Sequence, residues 1–346
     1  MTRLWQWLGA LLLGIMGALV YYAITRPSDV ILAPKQKLIF QLQWTPQAQF
    51  IGFYVAKAKH YYAEEGFDVE LLHGGPDINP IRSVVYSQAQ IGLATADQVL
   101  LWADKNDTRE HDLVAFGTVF NQSLACFMSK TSTHIIAPND LRKKRIGVFP
   151  SYDTQHLLEA LLKNHNIPES EVTIVEFPTL VQFDEGSLDV YPAYVINEPL
   201  WAKQRGIEVD ILKPDQFGIR FYSDTFIARK DYCDRNTDNI KAFLRASARG
   251  WRYAQSSPEE AMELMYEVVG GSLGEGQPRQ LQAAMAAEAV KYVGAGKYSL
   301  PFVMEPSRWA DMERALRGLH KLQKRDLVRR LCDFDIAEAA LRSGQP

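Results

Sequence analysis

Residues 37–62, KLIFQLQWTPQAQFIGFYVAKAKHYY, decide the fold. In the first eight, Leu38, Phe40, Leu42 and Trp44 alternate with Lys37, Gln41 and Gln43, the period of a half-buried strand. Residues 50–62 then take a helical period. The unit repeats outward from there. Residues 67–72 (FDVELL) read as a strand, followed by Gly74-Gly75-Pro76 and a helix through Ser87. Residues 90–95 (QIGLAT) form a short apolar strand, and 97–103 begin another helix. Strands alternating with helices imply βαβ units and mainly parallel sheets. The pattern restarts after 113–129, a long strand-like run. Residues 145–149 then read as a strand, 152–164 as a helix, and 172–177, 188–195 and 208–212 as further strands. From Asn239 onward the chain is helical, with Trp251, Tyr253 and Trp309 as large core candidates. Two α/β units and a helical tail predict two lobes with a cleft between them.

Residues 4–25 carry no charge and lie between Arg3 and Arg26. As a helix they span roughly 33 Å, enough for a hydrocarbon core of about 30 Å. Trp5, Trp7, Tyr21 and Tyr22 suit the two membrane interfaces. The expectation is an uncleaved N-terminal transmembrane anchor, with residues 27–34 as an extended tether. The alternative is a cleavable signal peptide, although 21–25 offer no small-x-small cut site. Either reading exports the chain, to a periplasmic location anchored in the inner membrane or soluble after cleavage. A net charge of -3 gives no electrostatic reason to expect nucleic acid. Cys126, Cys233 and Cys332 lie far apart without metal-ligand spacing. No metal and no cofactor is expected, and one bridge plus a free thiol or three buried thiols both stay open.

Ligands of such sheets gather where strands end and helices begin, because backbone N–H groups point outward there. Four junctions qualify: 44–52, 73–79, 95–98 and 150–155. Gly75 lets the backbone approach a ligand closely, with Asp77 as a helix cap. Asp97, Tyr152, Asp153 and Thr154 offer carboxylates, a ring and a hydroxyl at helix starts. Trp44, Phe50, Tyr152, Tyr191 and Tyr194 suit stacking on a flat ring. Gln47, Gln49, Asn197 and Glu198 suit pairing with ring nitrogens, amines or carbonyls. Two readings stay open for several of these: Trp44 and Tyr191 as core, and Glu198 as a cap before Pro199. Of seven histidines only His73 and His156 fall near these junctions, and both are expected on the surface or as helix caps.

The segments 43–56 (QWTPQAQFIGFYVA) and 62–69 (YAEEGFDV) resemble the opening of solute-binding proteins serving thiamine-pyrimidine ABC importers. That larger group includes alkanesulfonate and riboflavin binders. The likeness continues through 74–76 (GGP), 91–92 (IG), 140–147 (DLRKKRIG), 194–199 (YVINEP), 217–222 (FGIRFY) and 248–254 (ARGWRYA). It implies a type II two-lobed periplasmic binding protein fold, each lobe a mainly parallel sheet flanked by helices. The crossovers fall near 121–127 and 217–226. The implied organisation is 1–34 anchor and tether, 35–125 first part of lobe 1, 126–220 lobe 2, and 221–346 the rest of lobe 1 with C-terminal helices. The implied function is capture of a small heterocyclic ligand by a monomer that docks on an ABC permease. The same fold also serves membrane-anchored sensing or scaffolding.

The sequence departs from its relatives at one motif. Some carry Asn-x-Asn-His after Trp-x-Pro, and eukaryotic enzymes of the family use that histidine in building the pyrimidine. Here Gln47, Ala48, Gln49 and Phe50 stand there, and phenylalanine has no nitrogen to react or coordinate. The cysteine-rich iron motif of those enzymes is also absent, and no hydrolase, Walker or zinc-protease motif occurs. Binding without turnover is the expectation.

Overall fold

Ten strands among the described residues form two five-stranded sheets of the same design. The computed structural model describes residues 35–106, 108, 111–273, 278–294 and 300–342. The expected anchor at 4–25 and its tether lie outside the described residues. Among the described residues no helix is long and apolar enough to cross a membrane.

The strands are β1 (Gln36–Gln41), β2 (Phe67–Leu72), β3 (Ile91–Ala94), β4 (Leu113–Thr118), β5 (Ala125–Lys130), β6 (Arg145–Val148), β7 (Thr173–Glu176), β8 (Val190–Tyr194), β9 (Val209–Leu212) and β10 (Thr225–Arg229). One sheet has the order β2-β1-β3-β10-β4 and the other β7-β6-β8-β5-β9. In the first, β1 and β3 are parallel while β10 runs antiparallel to β3 and β4. In the second, β6 is parallel to β7 and β8 while β5 runs antiparallel to β8 and β9. The chain therefore changes sheet twice, between Thr118 and Ala125 and again between Leu212 and Thr225. The two crossing segments are tied together: Val119 N donates to Asp224 O at 2.7 Å, and Leu124 N to Ser223 Oγ at 3.0 Å.

Six helices frame the region of interest: α1 (Ile51–Ala58), α2 (Ala96–Lys105), α3 (Asp153–Asn164), α4 (Glu198–Gln204), α5 (Thr237–Ser256) and α6 (Arg279–Ala289). The tight crossing of α1 and α5 explains two glycines. A Cβ on Gly250 would sit 2.0 Å from Gly52 O, and one on Gly52 would lie 2.3 Å from the Trp251 ring. Trp251 fills the core beside them, 1% exposed, with Phe53 and Phe120 each at a centroid distance of 5.8 Å.

Two expectations need correction. The run 113–129 is two strands in different sheets, because both are buried on both faces and show no alternation to mark the break. The helix expected over 50–62 ends at Ala58, where His60 takes a left-handed φ of 60°. Cys126, Cys233 and Cys332 are free thiols.

Candidate functional site

The segment after β1 is shaped by the neighbouring β2 loop. Gly74 N donates to Trp44 O at 2.9 Å, and a Cβ on Gly74 would lie 2.3 Å from the Gln43 carbonyl carbon. Only glycine permits that approach. Gly75 has no such need, since its Cβ would meet only the Thr45 methyl at 3.7 Å. Asp77 is exposed and does not cap: the next helix begins at Pro80, so Asn79 accepts from Arg82 N instead.

From this brace the chain turns inward. Gln47 and Gln49 are 4% and 2% exposed. Gln47 Nε2 donates to Gln49 Oε1 at 2.6 Å, and Gln49 Nε2 donates to Asp224 Oδ2 at 2.8 Å. Ala48 N donates to Gln282 Oε1 on α6 at 2.6 Å, fixing the segment from outside. Phe50 points into the core, 1% exposed.

The second sheet answers from the start of α3. The Trp44 and Tyr152 rings meet edge-to-face, centroids 6.0 Å apart at 82°. Gln98 Nε2 donates to Ser151 O at 3.2 Å. His156 Nδ1 lies 2.6 Å from Asp97 Oδ2, joining α3 to α2 in a pair that is 4% and 0% exposed. His156 is thus neither a surface residue nor a cap: α2 covers the face of α3 that carries it. Asp153 accepts from Thr154 N at 2.8 Å and from the Tyr194 hydroxyl at 2.9 Å.

Several buried polar atoms of these segments have no hydrogen-bond partner among the described residues: Gln47 Oε1, Thr95 Oγ1, Asp97 Oδ1, Thr154 Oγ1 and Asp224 Oδ1. A buried unpaired polar group costs about 1–3 kcal/mol, so five along adjoining junctions mark this region as a candidate site. An open groove of about 600 Å³ lies beyond α4, lined by Leu200, Lys203, Lys213, Glu288 and Tyr292 among others. None of its lining residues supplies a buried unpaired atom. The converging junctions are the stronger candidate.

Other expected site residues are placed differently. Tyr191 is 7% exposed and packs against Phe149 and Phe183. Glu198 accepts from Tyr194 N at 2.7 Å and from Asn197 Nδ2 at 2.9 Å, so its own segment occupies both oxygens. Asp224 was not singled out from sequence, because no motif surrounds it and its link to Gln49 is long-range.

Burial dominates the electrostatics. It pushes the Asp224 carboxyl up to about 7, with the charge of Asp153 adding to the rise and the Gln49 hydrogen bond opposing it. Burial, and then Asp97, also push Asp153 well above the usual carboxylate range. Burial raises Glu198 to about 7. Burial works against a charged His156, but the hydrogen bond and charge of Asp97 outweigh it and raise its pKa. All four bind a proton more tightly in the folded chain. Their stabilisation is complete below the unfolded values and lost as pH climbs through the folded ones. The window opens at 3.8 for Asp224 and 4.5 for Glu198 and closes near about 7, with His156 acting above 6.5. Unfolding free energy of the ligand-free protein is expected to fall as pH rises from about 5 to about 8, by up to about 1.4 kcal/mol per unit per group. Urea midpoints across that range check it, and a rising trend would show these groups ionised and well paired in the fold.

Two sheets of matching order, exchanging antiparallel strands through paired crossings, form a periplasmic-binding-protein fold. The chain belongs to the NMT1/THI5-like family, whose model matches residues 47–261. It is 25% identical to the riboflavin-binding protein RibY of Chloroflexus aurantiacus, over 68% of this chain and 67% of the relative. It is 22% identical to the formylaminopyrimidine-binding protein of Halalkalibacterium halodurans, over 65% of this chain and 68% of the relative. The periplasmic aliphatic sulphonate binding protein SsuA from Escherichia coli shares the fold at a TM-score of 0.64 and 13% identity, covering 86% of this chain and 97% of that one.

Proposed function

We propose that this protein is the substrate-binding component of an ABC importer, capturing a planar heterocycle between the two sheets. A thiamine pyrimidine precursor is the favoured class, with a flavin-type ring as the alternative. The reading rests on one observation: Trp44 and Tyr152 meet across the sheets, and the segments that carry them also carry buried atoms without a protein partner, at Gln47 and Thr154. Aromatic faces with a few placed polar groups are what a flat, polar-edged ligand needs. The relatives that bind riboflavin and formylaminopyrimidine support this class. Turnover is disfavoured, because Phe50 stands in the core where the family's enzymes place a reactive histidine.

The contacts between α2 and α3 would form as the lobes close and break as they open, and the closed form would dock on the permease. Export, with residues 4–25 holding the protein at the inner membrane, keeps it beside that partner.

Calorimetric titration with an aminopyrimidine and with riboflavin tests the proposal. Trp44→Ala should weaken the binding ligand by about 1–3 kcal/mol, on the scale of ring stacking, with an unchanged melting temperature. Unaltered affinity with a lowered melting temperature would assign Trp44 to packing and sink this placement of the ligand.

A further inference from the structure

The outermost strands of the two sheets are β2, β4, β7 and β9. Of these only β7 has no buried residue. Its inner edge is bonded to β6: Thr173 N donates to Lys144 O at 2.9 Å, and Phe177 N to Val148 O at 3.0 Å. Alternation along the strand then turns the N–H and C=O groups of Ile174 and Glu176 outward, where no strand of the described residues lies.

Natural edges are commonly blunted by lysine, proline or a bulge. β7, with the sequence TIVE, carries no lysine or proline, and Glu176 is its charged residue. The surface beside it is apolar. Phe177 and Val181 are the two most exposed large apolar side chains among the described residues, at 66% and 62%, and Ile174 is 43% exposed. Phe177 holds a left-handed φ of 51°, a costly conformation for a bulky side chain. The next residue, Pro178, is pressed onto β6, where a Cβ on Gly147 would lie 2.6 Å from its ring. The backbone is anchored there while the phenyl ring stands in solvent.

A short helix, Leu180–Asp184, follows at once. Helical spacing puts Val181, Asp184 and Glu185 on one face. The carboxylates of Glu176, Asp184 and Glu185 make no ion pair among the described residues. Lys130 reaches this turn but donates to the Asp184 carbonyl oxygen at 2.6 Å. An exposed apolar patch rimmed by unpaired negative charge fits a partner that is both apolar and basic.

We propose that the outer edge of β7 is a docking site for an extended segment of another protein, which adds as a further strand. Its backbone meets the outward groups of Ile174 and Glu176, and its apolar side chains cover Ile174, Phe177 and Val181. Its lysines or arginines lie against Glu176, Asp184 and Glu185. The docking edge does not depend on which ligand the converging junctions hold.

The test is fluorescence anisotropy of labelled hexapeptides on the full chain, at a pH of about 7 and low salt. RVRVRV is expected to bind at least about tenfold more tightly than EVEVEV. RVRVRV methylated at every backbone nitrogen keeps its charge but cannot donate to the edge, and should lose most of its affinity. Phe177→Gly relieves the left-handed strain, so it should keep or raise the melting temperature while lowering RVRVRV affinity severalfold. Glu176→Lys should narrow or reverse the charge preference. Absence of RVRVRV binding overturns the proposal, as does equal binding of EVEVEV or full affinity of the methylated peptide. A folded Phe177→Gly variant with full affinity overturns it too. So does a wild-type dimer in sedimentation that Ile174→Lys converts to monomer, which would give the edge to a second copy of the chain.

Discussion

Replacing His156 by leucine is expected to open the molecule. His156 and Asp97 form a buried pair 2.6 Å apart that bridges α3 and α2, which follow strands of different sheets. With the imidazole gone, the Asp97 carboxylate keeps 0% exposure and loses the partner of Oδ2, while Oδ1 already has none. Removing one member of a buried pair costs about 3–5 kcal/mol. An open arrangement hydrates Asp97 and escapes that cost, whereas a fold with no open form must bear it. The closed-to-open ratio should therefore shift by more than about a hundredfold, with only a small loss in unfolding free energy. Small-angle scattering should show a larger radius of gyration for the ligand-free variant. An unchanged scattering profile with a clearly lowered melting temperature would make the pair a fixed element of the fold.

Trp251→Ala should produce the largest loss of stability. The ring is 1% exposed, between Phe53 and Phe120, where α1 and α5 approach so closely that both Gly52 and Gly250 must lack a Cβ. Helices locked by backbone contact cannot collapse into the void, so the cost should reach about 3–5 kcal/mol. The indole N–H has no partner among the described residues, which offsets a little of that loss. Because α1 directly follows Gln47 and Gln49, ligand affinity should fall with stability. Urea unfolding checks it, and a loss under about 1 kcal/mol would mean the crossing repacks freely.

Much of the architecture was legible because its signals are local. Strand alternation in 37–44, the loop glycines at 74–75 and the helical period after Asp153 need only neighbours along the chain. The rest depended on distant partners. The break between β4 and β5 is hidden because both strands are buried on both faces, so 113–129 reads as one apolar run. His156 sits on a helix face whose cover comes from α2, fifty-nine residues away. Asp224 becomes meaningful only when β10 inserts beside β3 and brings it to Gln49. Glu198 was recognisable as a buried carboxylate, yet sequence could not say that its own turn would occupy both oxygens.

The matched strand orders have a consequence for how the chain assembles. Every strand of the second sheet lies between Ala125 and Leu212, so that sheet is complete in one continuous stretch. The first sheet is not, because β10 must slot between β3 and β4 and pair Ala228 with both Ile91 and Val114. Contacts of such sequence separation form slowly, since the intervening loop must close before any pairing rewards it. During synthesis the second sheet can therefore close on itself while β3 and β4 wait with open edges for a strand still to be made. Unpaired edges are where chains aggregate. The late arrival of β10 makes the first half of the protein the part most in need of protection while the chain folds.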